Sequence, residues 1–363
     1  MQEINRTASE LKTQYRSDDS NYEVLRGDKQ KVKERANQWS SDIVRQKYVN
    51  ETDQLIGILD GSITDTDAID MFDPEKGEVE SFVPDAVLWL DKSARPVSWL
   101  VDAFWEQMAD PNAQKPEYEF LNIDRVNWFV FAGHDEGAAE SRLGPEDFNI
   151  EDIHSDKIDG LRALFVQGDL TEENWRDEVW RMPTRLDGKN ILIVDEVRNR
   201  GGTLAIAMQI MKKAIPEATF NATYFWHTGR YSMNKTSAEP KDQQMESAPV
   251  WYDKHNEMGR GVGDISIDYW EQLYEHEPTQ DNLKQRLGAF ALSAPHHNPS
   301  TYAPKEDTLA KKIQQDFAHL SYDVARGNVI RRPSRLRDYD EILAIYAKQG
   351  MSPQEMKTYN SSL

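Results

Sequence analysis

The segment from Asn190 to Leu204 constrains the fold more than any other part of the chain. Four apolar residues, Ile191 to Val194, are followed at once by two carboxylates and a glycine-containing turn. The apolar run predicts a buried strand, and the residues after the turn predict a helix over 203–214 that stops before Pro216. A buried strand that turns directly into a helix is the repeating unit of parallel α/β sheets. Ligands on such sheets bind beyond the C-terminal ends of the strands, which makes this turn the first candidate site.

The same pattern occurs earlier in the chain and sets the predicted architecture. Ala86 to Leu90 is a short apolar run that predicts a strand, and after a polar turn a helix is predicted to start near Pro96. Further strands are predicted at 120–125, 128–131, 219–226 and 249–252. We therefore predict an α/β fold with a mainly parallel, twisted sheet flanked by helices.

The length of the chain predicts additions to this sheet. A single core usually stops growing near 250–300 residues, and the chain has 363. Both ends are polar and have helical spacing. We predict a helical N-terminal extension (1–50), an α/β domain (51–265) and a helical C-terminal extension (266–363).

Composition excludes several kinds of site and partner. The chain has no cysteine, which excludes disulfides, thiolate zinc sites and cysteine nucleophiles. A formal net charge of -20 disfavours contact with nucleic acid or anionic lipid over most of the surface. The first residues lack the apolar stretch of a secretory signal, and no run approaches the length of a membrane span. We expect a cytoplasmic protein without membrane contact.

The turn after Val194 carries groups suited to a phosphorylated sugar. The adjacent carboxylates of Asp195 and Glu196 repel each other unless hydroxyls or cations satisfy them, and vicinal sugar hydroxyls do so. Gly201 and Gly202 let the backbone approach a ligand, and free N–H groups at the helix start favour a phosphate. The other donors and charges come from Arg198, Asn199, Arg200 and Thr203.

This segment resembles the motif with which type I phosphoribosyltransferases bind 5-phosphoribosyl 1-pyrophosphate (PRPP). The motif has four apolar residues, two acidic residues and a short loop ending in Thr-Gly-x-Thr, and the resemblance covers roughly residues 80–255. It implies that Asp195 and Glu196 are the catalytic pair that holds the ribose hydroxyls. It also implies that the 5′-phosphate is bound by Arg198, Asn199, Arg200, Gly201, Gly202 and Thr203.

The resemblance implies a reaction and a cofactor. A 5-phosphoribosyl group would pass from PRPP to a nitrogen acceptor with release of pyrophosphate, and Mg²⁺ would bind through ligand oxygens without a direct protein ligand. Two residues depart from the family pattern: Arg200 replaces a threonine or serine, and Asn199 replaces the aspartate base of members that act on 6-oxopurines. The aspartate base takes a proton from the acceptor, and the amide of Asn199 cannot do so. The identity of the nitrogen acceptor therefore stays open. The alternative is a non-catalytic module that senses PRPP or a nucleotide and acts through a partner.

Further candidates lie outside the motif. The turn after Leu90 resembles the family's pyrophosphate-binding turn, which implies that Lys92, Ser93 and Arg95 bind pyrophosphate, with Arg125 after a second strand. Trp251 and Tyr252 are candidates for contact with a base or, alternatively, for an edge strand of the core. The basic segment from Arg326 to Arg337 predicts docking onto the acidic body or binding of an anionic or protein partner. The resemblance also favours a homodimer.

Overall fold

Four parallel strands form the centre of the protein. The computed structural model describes residues 42–63, 82–90, 94–141, 143–197, 202–226, 283–292 and 309–326. In this part of the chain the strands are β1 (Ala86–Leu90), β2 (Glu117–Leu121), β3 (Asn190–Val197) and β4 (Thr219–Trp226). They lie in the order β2-β1-β3-β4, and every neighbouring pair is parallel. The predicted α/β fold with a parallel sheet is confirmed.

The described helices cover both faces of this sheet. They are α1 (Asp42–Leu59), α2 (Arg95–Met108), α3 (Arg125–Phe131), α4 (Glu136–Ser141), α5 (Ser155–Ala163), α6 (Trp175–Glu178), α7 (Gly202–Ala214), α8 (Leu283–Leu292) and α9 (Leu309–Ala325). Two short 3₁₀ turns, Pro145–Asp147 and Ile150–Asp152, lie between α4 and α5.

Alternation along the strands divides the core in two. Val87 and Trp89 pack with α1, α2 and α9 on one side, which we call the α2 face. Leu88 and Ile193 pack with α3, α5, α7 and α8 on the other side, the α7 face. All five residues of β1 are buried, as expected for a parallel strand that helices cover on both faces.

Helices from both ends of the chain are part of this core. Helix α1 crosses the predicted boundary at residue 50, and its Tyr48 and Val49 are buried. Helix α9 is attached to α2 because the Ser321 hydroxyl donates to the carbonyl of Ala103 (2.8 Å). Helix α8 lies so close to α5 that a Cβ on Gly160 would come within 2.7 Å of the Leu287 carbonyl oxygen. The helices at 42–59, 283–292 and 309–325 therefore close the three-layer fold.

One strand prediction was wrong. The apolar run at 128–131 belongs to helix α3, and the strand predicted at 120–125 ends at Leu121. The reason is Asp124, whose carboxylate accepts hydrogen bonds from the backbone N–H of Val126 (2.9 Å) and of Asn127 (3.4 Å) and so caps the helix. A four-residue apolar run fits a strand and a buried helix equally well. The strand predicted at 249–252 lies outside the described residues.

Candidate functional site

The strand order reverses between β1 and β3. The chain leaves β1 through α2 towards β2, and it leaves β3 through α7 towards β4 on the opposite side. The two connecting helices lie on opposite faces of the sheet. Such a reversal opens a crevice at the C-terminal ends of the two central strands, where ligands of open α/β sheets bind. Val194, Asp195 and Glu196 of β3 lie at this end of the sheet, whereas residues 198–201 of the predicted turn lie outside the described residues.

Asp195 is the carboxylate at the crevice. It belongs to β3, is partly exposed, and follows Ile193 on the α7 face. Its Oδ1 accepts a hydrogen bond from the backbone N–H of Glu196 (2.8 Å). Helix α7 begins at Gly202, and Thr203 is partly buried in its first turn. The edge therefore combines an accessible carboxylate with a helix start.

Glu196 lies on the other side of the strand. Its side chain is 3% exposed, and Oε1 has no hydrogen-bond partner among the described residues. Burial raises the pKa of this carboxyl well above its ordinary value, and the neighbouring charge of Asp195 raises it further. The sequence led us to expect two carboxylates open at the edge, whereas the structure brings only Asp195 there. The difference follows from β3 continuing to Val197, because successive residues of a strand point to opposite faces.

The two described arginines of the predicted pyrophosphate site are engaged in the fold. Arg95 begins α2, is 1% exposed, and places its guanidinium 4.1 Å from the centre of the Phe120 ring. Arg125 begins α3, and its Nη1 donates to the carbonyl of Leu143 (2.9 Å). Arg125 therefore begins α3, four residues after β2 ends at Leu121, and does not lie at the end of that strand.

Two polar residues at this edge were not singled out by the sequence patterns. Asn122 follows β2 and is 4% exposed, and Tyr224, near the end of β4, is 3% exposed. Tyr224 is paired in register with Asp195. Their common signal is a polar side chain at the C-terminal end of a strand, which becomes informative only when the order of the strands is known.

Most of the remaining predicted site residues lie outside the described part of the chain. These are Lys92, Ser93, Arg198, Asn199, Arg200, Gly201, Trp251 and Tyr252. Of the basic segment, only Arg326 is described, and it is exposed with its guanidinium 5.5 Å from the centre of the Tyr322 ring. Of the residues predicted to bind the 5′-phosphate, the structure describes Gly202 and Thr203.

The described residues show neither a metal-binding cluster nor a membrane-spanning helix. They contain no group of three or more histidine, aspartate or glutamate side chains that could hold a metal ion. None of the described helices combines the length and the apolar character that a membrane crossing requires.

In comparisons with known proteins, no family model, no curated protein and no solved structure matches this chain.

Proposed function

We propose that this protein binds PRPP in the crevice between β1 and β3 and transfers its 5-phosphoribosyl group to a nitrogen acceptor. The observation that carries the proposal is the position of Asp195, a partly exposed carboxylate at the C-terminal end of β3 where the strand order reverses. A carboxylate there can accept hydrogen bonds from the ribose hydroxyls. The start of α7 at Gly202 lies seven residues further along, at a distance in sequence that suits a loop around the 5′-phosphate.

The reaction itself makes modest demands on the protein. The bond from the ribose C1 to the pyrophosphate oxygen breaks, the bond from C1 to the acceptor nitrogen forms, and the proton that the acceptor nitrogen loses passes to solvent. Charge develops on the ribose ring and on the departing pyrophosphate, so positioning and charge stabilisation are the main contributions of the protein. Asp195 would hold the ribose in place during this exchange.

Mg²⁺ is the proposed cofactor. Since Asp195 is the accessible carboxylate of β3 and the described residues lack a cluster of metal-binding side chains, the ion would take its ligands from PRPP oxygens and water. When bound, it would neutralise charge on the leaving pyrophosphate.

A second candidate function is a PRPP- or nucleotide-sensing module that acts through a protein or nucleic-acid partner. It is favoured by the contacts of two arginines. Arg95 packs on the Phe120 ring, and Arg125 donates a hydrogen bond to the carbonyl of Leu143, so both are engaged with the fold. Asn199, in the position of a catalytic aspartate, favours it as well. A sensor needs to hold the ribose phosphate, whereas an enzyme must also stabilise the departing pyrophosphate.

Calorimetric titration of PRPP with Mg²⁺ tests the proposed site. We expect binding by the wild type and a loss of about tenfold to a hundredfold in Asp195→Asn, because hydrogen bonds from hydroxyls to a charged acceptor are lost. Asp85→Asn is the matched control. Asp85 also accepts a backbone N–H of β3, that of Asn190 (2.8 Å), but it does so at the opposite end of the sheet. Equal binding by Asp195→Asn and Asp85→Asn would overturn the site.

Release of pyrophosphate separates the two candidate functions. The assay supplies PRPP, Mg²⁺ and a series of purine, pyrimidine and simple amine acceptors to the wild type. An enzyme releases pyrophosphate with at least one acceptor, and Asp195→Asn abolishes the release. Tight binding of PRPP without release across the series would favour the sensor.

A further inference from the structure

Glu196 occupies an unusual position for a residue of a ligand-binding edge. It is buried on the α2 face, between the sheet and the helices that cover it, while its neighbour Asp195 lies partly exposed on the other face. Phe225 of β4 stands beside Glu196 in the register of the sheet. The ring of Tyr48, from α1, lies over Phe225 with 6.3 Å between ring centres. Glu196 is therefore on the part of the sheet that α1 covers.

No ion pair of Glu196 is found among the residues that the structure describes. Its Oε1 and the nearby Thr223 hydroxyl both lack hydrogen-bond partners among the described residues, although each side chain is at least 97% buried. A buried carboxylate without a partner is costly, and a carboxyl in such a place becomes neutral instead. The raised pKa of Glu196 agrees with that expectation.

The backbone of Glu196 connects this buried group to the proposed ligand site. The N–H of Glu196 donates to Oδ1 of Asp195 (2.8 Å). The orientation of this N–H depends on the peptide plane between the two residues, and that plane depends on where the Glu196 side chain is held. A change in the packing of Glu196 is therefore transmitted to the carboxylate of Asp195.

We propose that Glu196 is a positioning residue, which anchors the end of β3 beneath α1 and so orients Asp195, and that it does not itself touch the ligand. The inference rests on the proposed function only where it is tested by PRPP binding. It gives the two acidic residues of the motif different tasks: Asp195 holds the ribose hydroxyls, and Glu196 holds Asp195.

Three substitutions of Glu196 test this assignment against Asp195→Asn. Glu196→Gln resembles the neutral acid in shape, and Glu196→Met fills a similar volume without polar atoms, so we expect both to bind PRPP with Mg²⁺ within about threefold of the wild type. Glu196→Ala removes the anchor and should weaken binding by about tenfold, because small displacements of a positioning group are costly. Restoration by glutamine and methionine would distinguish an anchor from a ligand contact.

Two binding results would overturn the inference. The first is a loss of affinity in Glu196→Gln as large as that in Asp195→Asn with an unchanged melting temperature, because the carboxylate would then contact the ligand. The second is wild-type affinity in Glu196→Ala, because no anchoring would then be needed.

Thermal unfolding tests the anchoring role of Glu196 without a ligand. We expect Glu196→Gln and Glu196→Met to melt at or above the wild-type temperature and Glu196→Ala to melt below it. If the wild type ignores PRPP, the proposed function fails, while these melting temperatures still decide whether Glu196 is an internal anchor. Failure of both Glu196→Gln and Glu196→Met to fold would contradict the inference, since it would mean that the carboxylate has a required ionic partner.

Discussion

Arg162 and Glu196 both bring an ionisable side chain into the interior beside the same sheet, but their surroundings differ. Arg162 of α5 is 2% exposed, and its guanidinium donates to the carbonyls of Val179 (2.8 Å), Ala214 (2.9 Å) and Met182 (3.3 Å). Glu196 is almost as buried, and its Oε1 has no hydrogen-bond partner in the part of the chain that the structure describes. Arg162 is hydrogen-bonded to several backbone carbonyls, whereas burial and the charge of Asp195 raise the pKa of Glu196 well above its ordinary value.

The difference separates a structural task from a site-related one. Arg162 ties the C-terminal end of α7 to the segment after α6, since Ala214 ends α7 and Val179 follows α6. Buried polar groups that serve the fold are normally satisfied in this way. An unsatisfied group next to a crevice is the pattern expected where stability has been given up for the geometry of a site.

Replacement of Arg162 should give the largest effect of the changes that test this comparison. Arg162→Met keeps much of the volume but removes the donor from three backbone carbonyls, two of them in buried hydrogen bonds, so the free energy of unfolding should fall by about 3 kcal/mol or more. Urea denaturation measures the change. Arg181→Met is the control because the Arg181 side chain is 73% exposed and forms a surface ion pair with Glu178, so its effect should stay within about 0.5 kcal/mol. A loss for Arg162→Met as small as that of the control would contradict the structural role.

The sequence predicted the elements that carry the clearest local signals. β1, β3, β4 and α7 were located within a few residues because apolar runs, polar turns and Pro216 mark their limits. Helix α3 was mistaken for a strand because its apolar run fits either element. The hydrogen bond from the backbone N–H of Val126 to Asp124 caps the helix and decides between them. Sequence spacing also could not show that α1, α8 and α9 close the two faces of the sheet, since their partners lie far away along the chain.

The candidate site was predictable in its place and not in its details. The position of Asp195 at the end of a central strand follows from the strand–turn–helix pattern alone. The opposite directions of Asp195 and Glu196 depend on how far β3 continues, and the polar groups before the turn do not reveal that. The engagement of Arg95 with Phe120 depends on the pairing of β1 with β2, which is a tertiary fact.

A second substitution tests whether the packing of α5, the helix that carries Arg162, depends on its contact with α8. A Cβ on Gly160 of α5 would lie 2.7 Å from the Leu287 carbonyl oxygen, so Gly160→Ala should separate the two helices and cost about 1–3 kcal/mol. Gly137→Ala in α4 is the matched control, because the nearest atom to its Cβ is a side-chain oxygen of Asp135 at 3.3 Å. That change should be neutral or slightly stabilising through helix propensity. Chemical denaturation of both variants gives the comparison, and equal stability would show that α8 is not closely packed on α5.

The smallest effect is the dependence of stability on pH that Glu196 contributes. Its pKa is raised in the folded protein above the ordinary value of 4.5, so the folded state keeps a proton that the unfolded chain has lost. Stability from this group therefore falls as pH rises from about 4.5 towards the folded pKa, with a slope of at most about 1.4 kcal/mol per pH unit. In Glu196→Gln this slope is absent, so the variant should gain stability relative to the wild type as the pH rises from about 5 towards neutrality.

Denaturation of both proteins across this pH range measures the difference, and Glu117→Gln is the control. The Glu117 side chain is 64% exposed, so its substitution should leave the wild-type profile nearly unchanged. A stability difference between the wild type and Glu196→Gln that stays constant with pH would mean that Glu196 is ionised in the fold. A charged Glu196 would need a cation beside it, and the contrast with Arg162 would then be one between two satisfied buried charges.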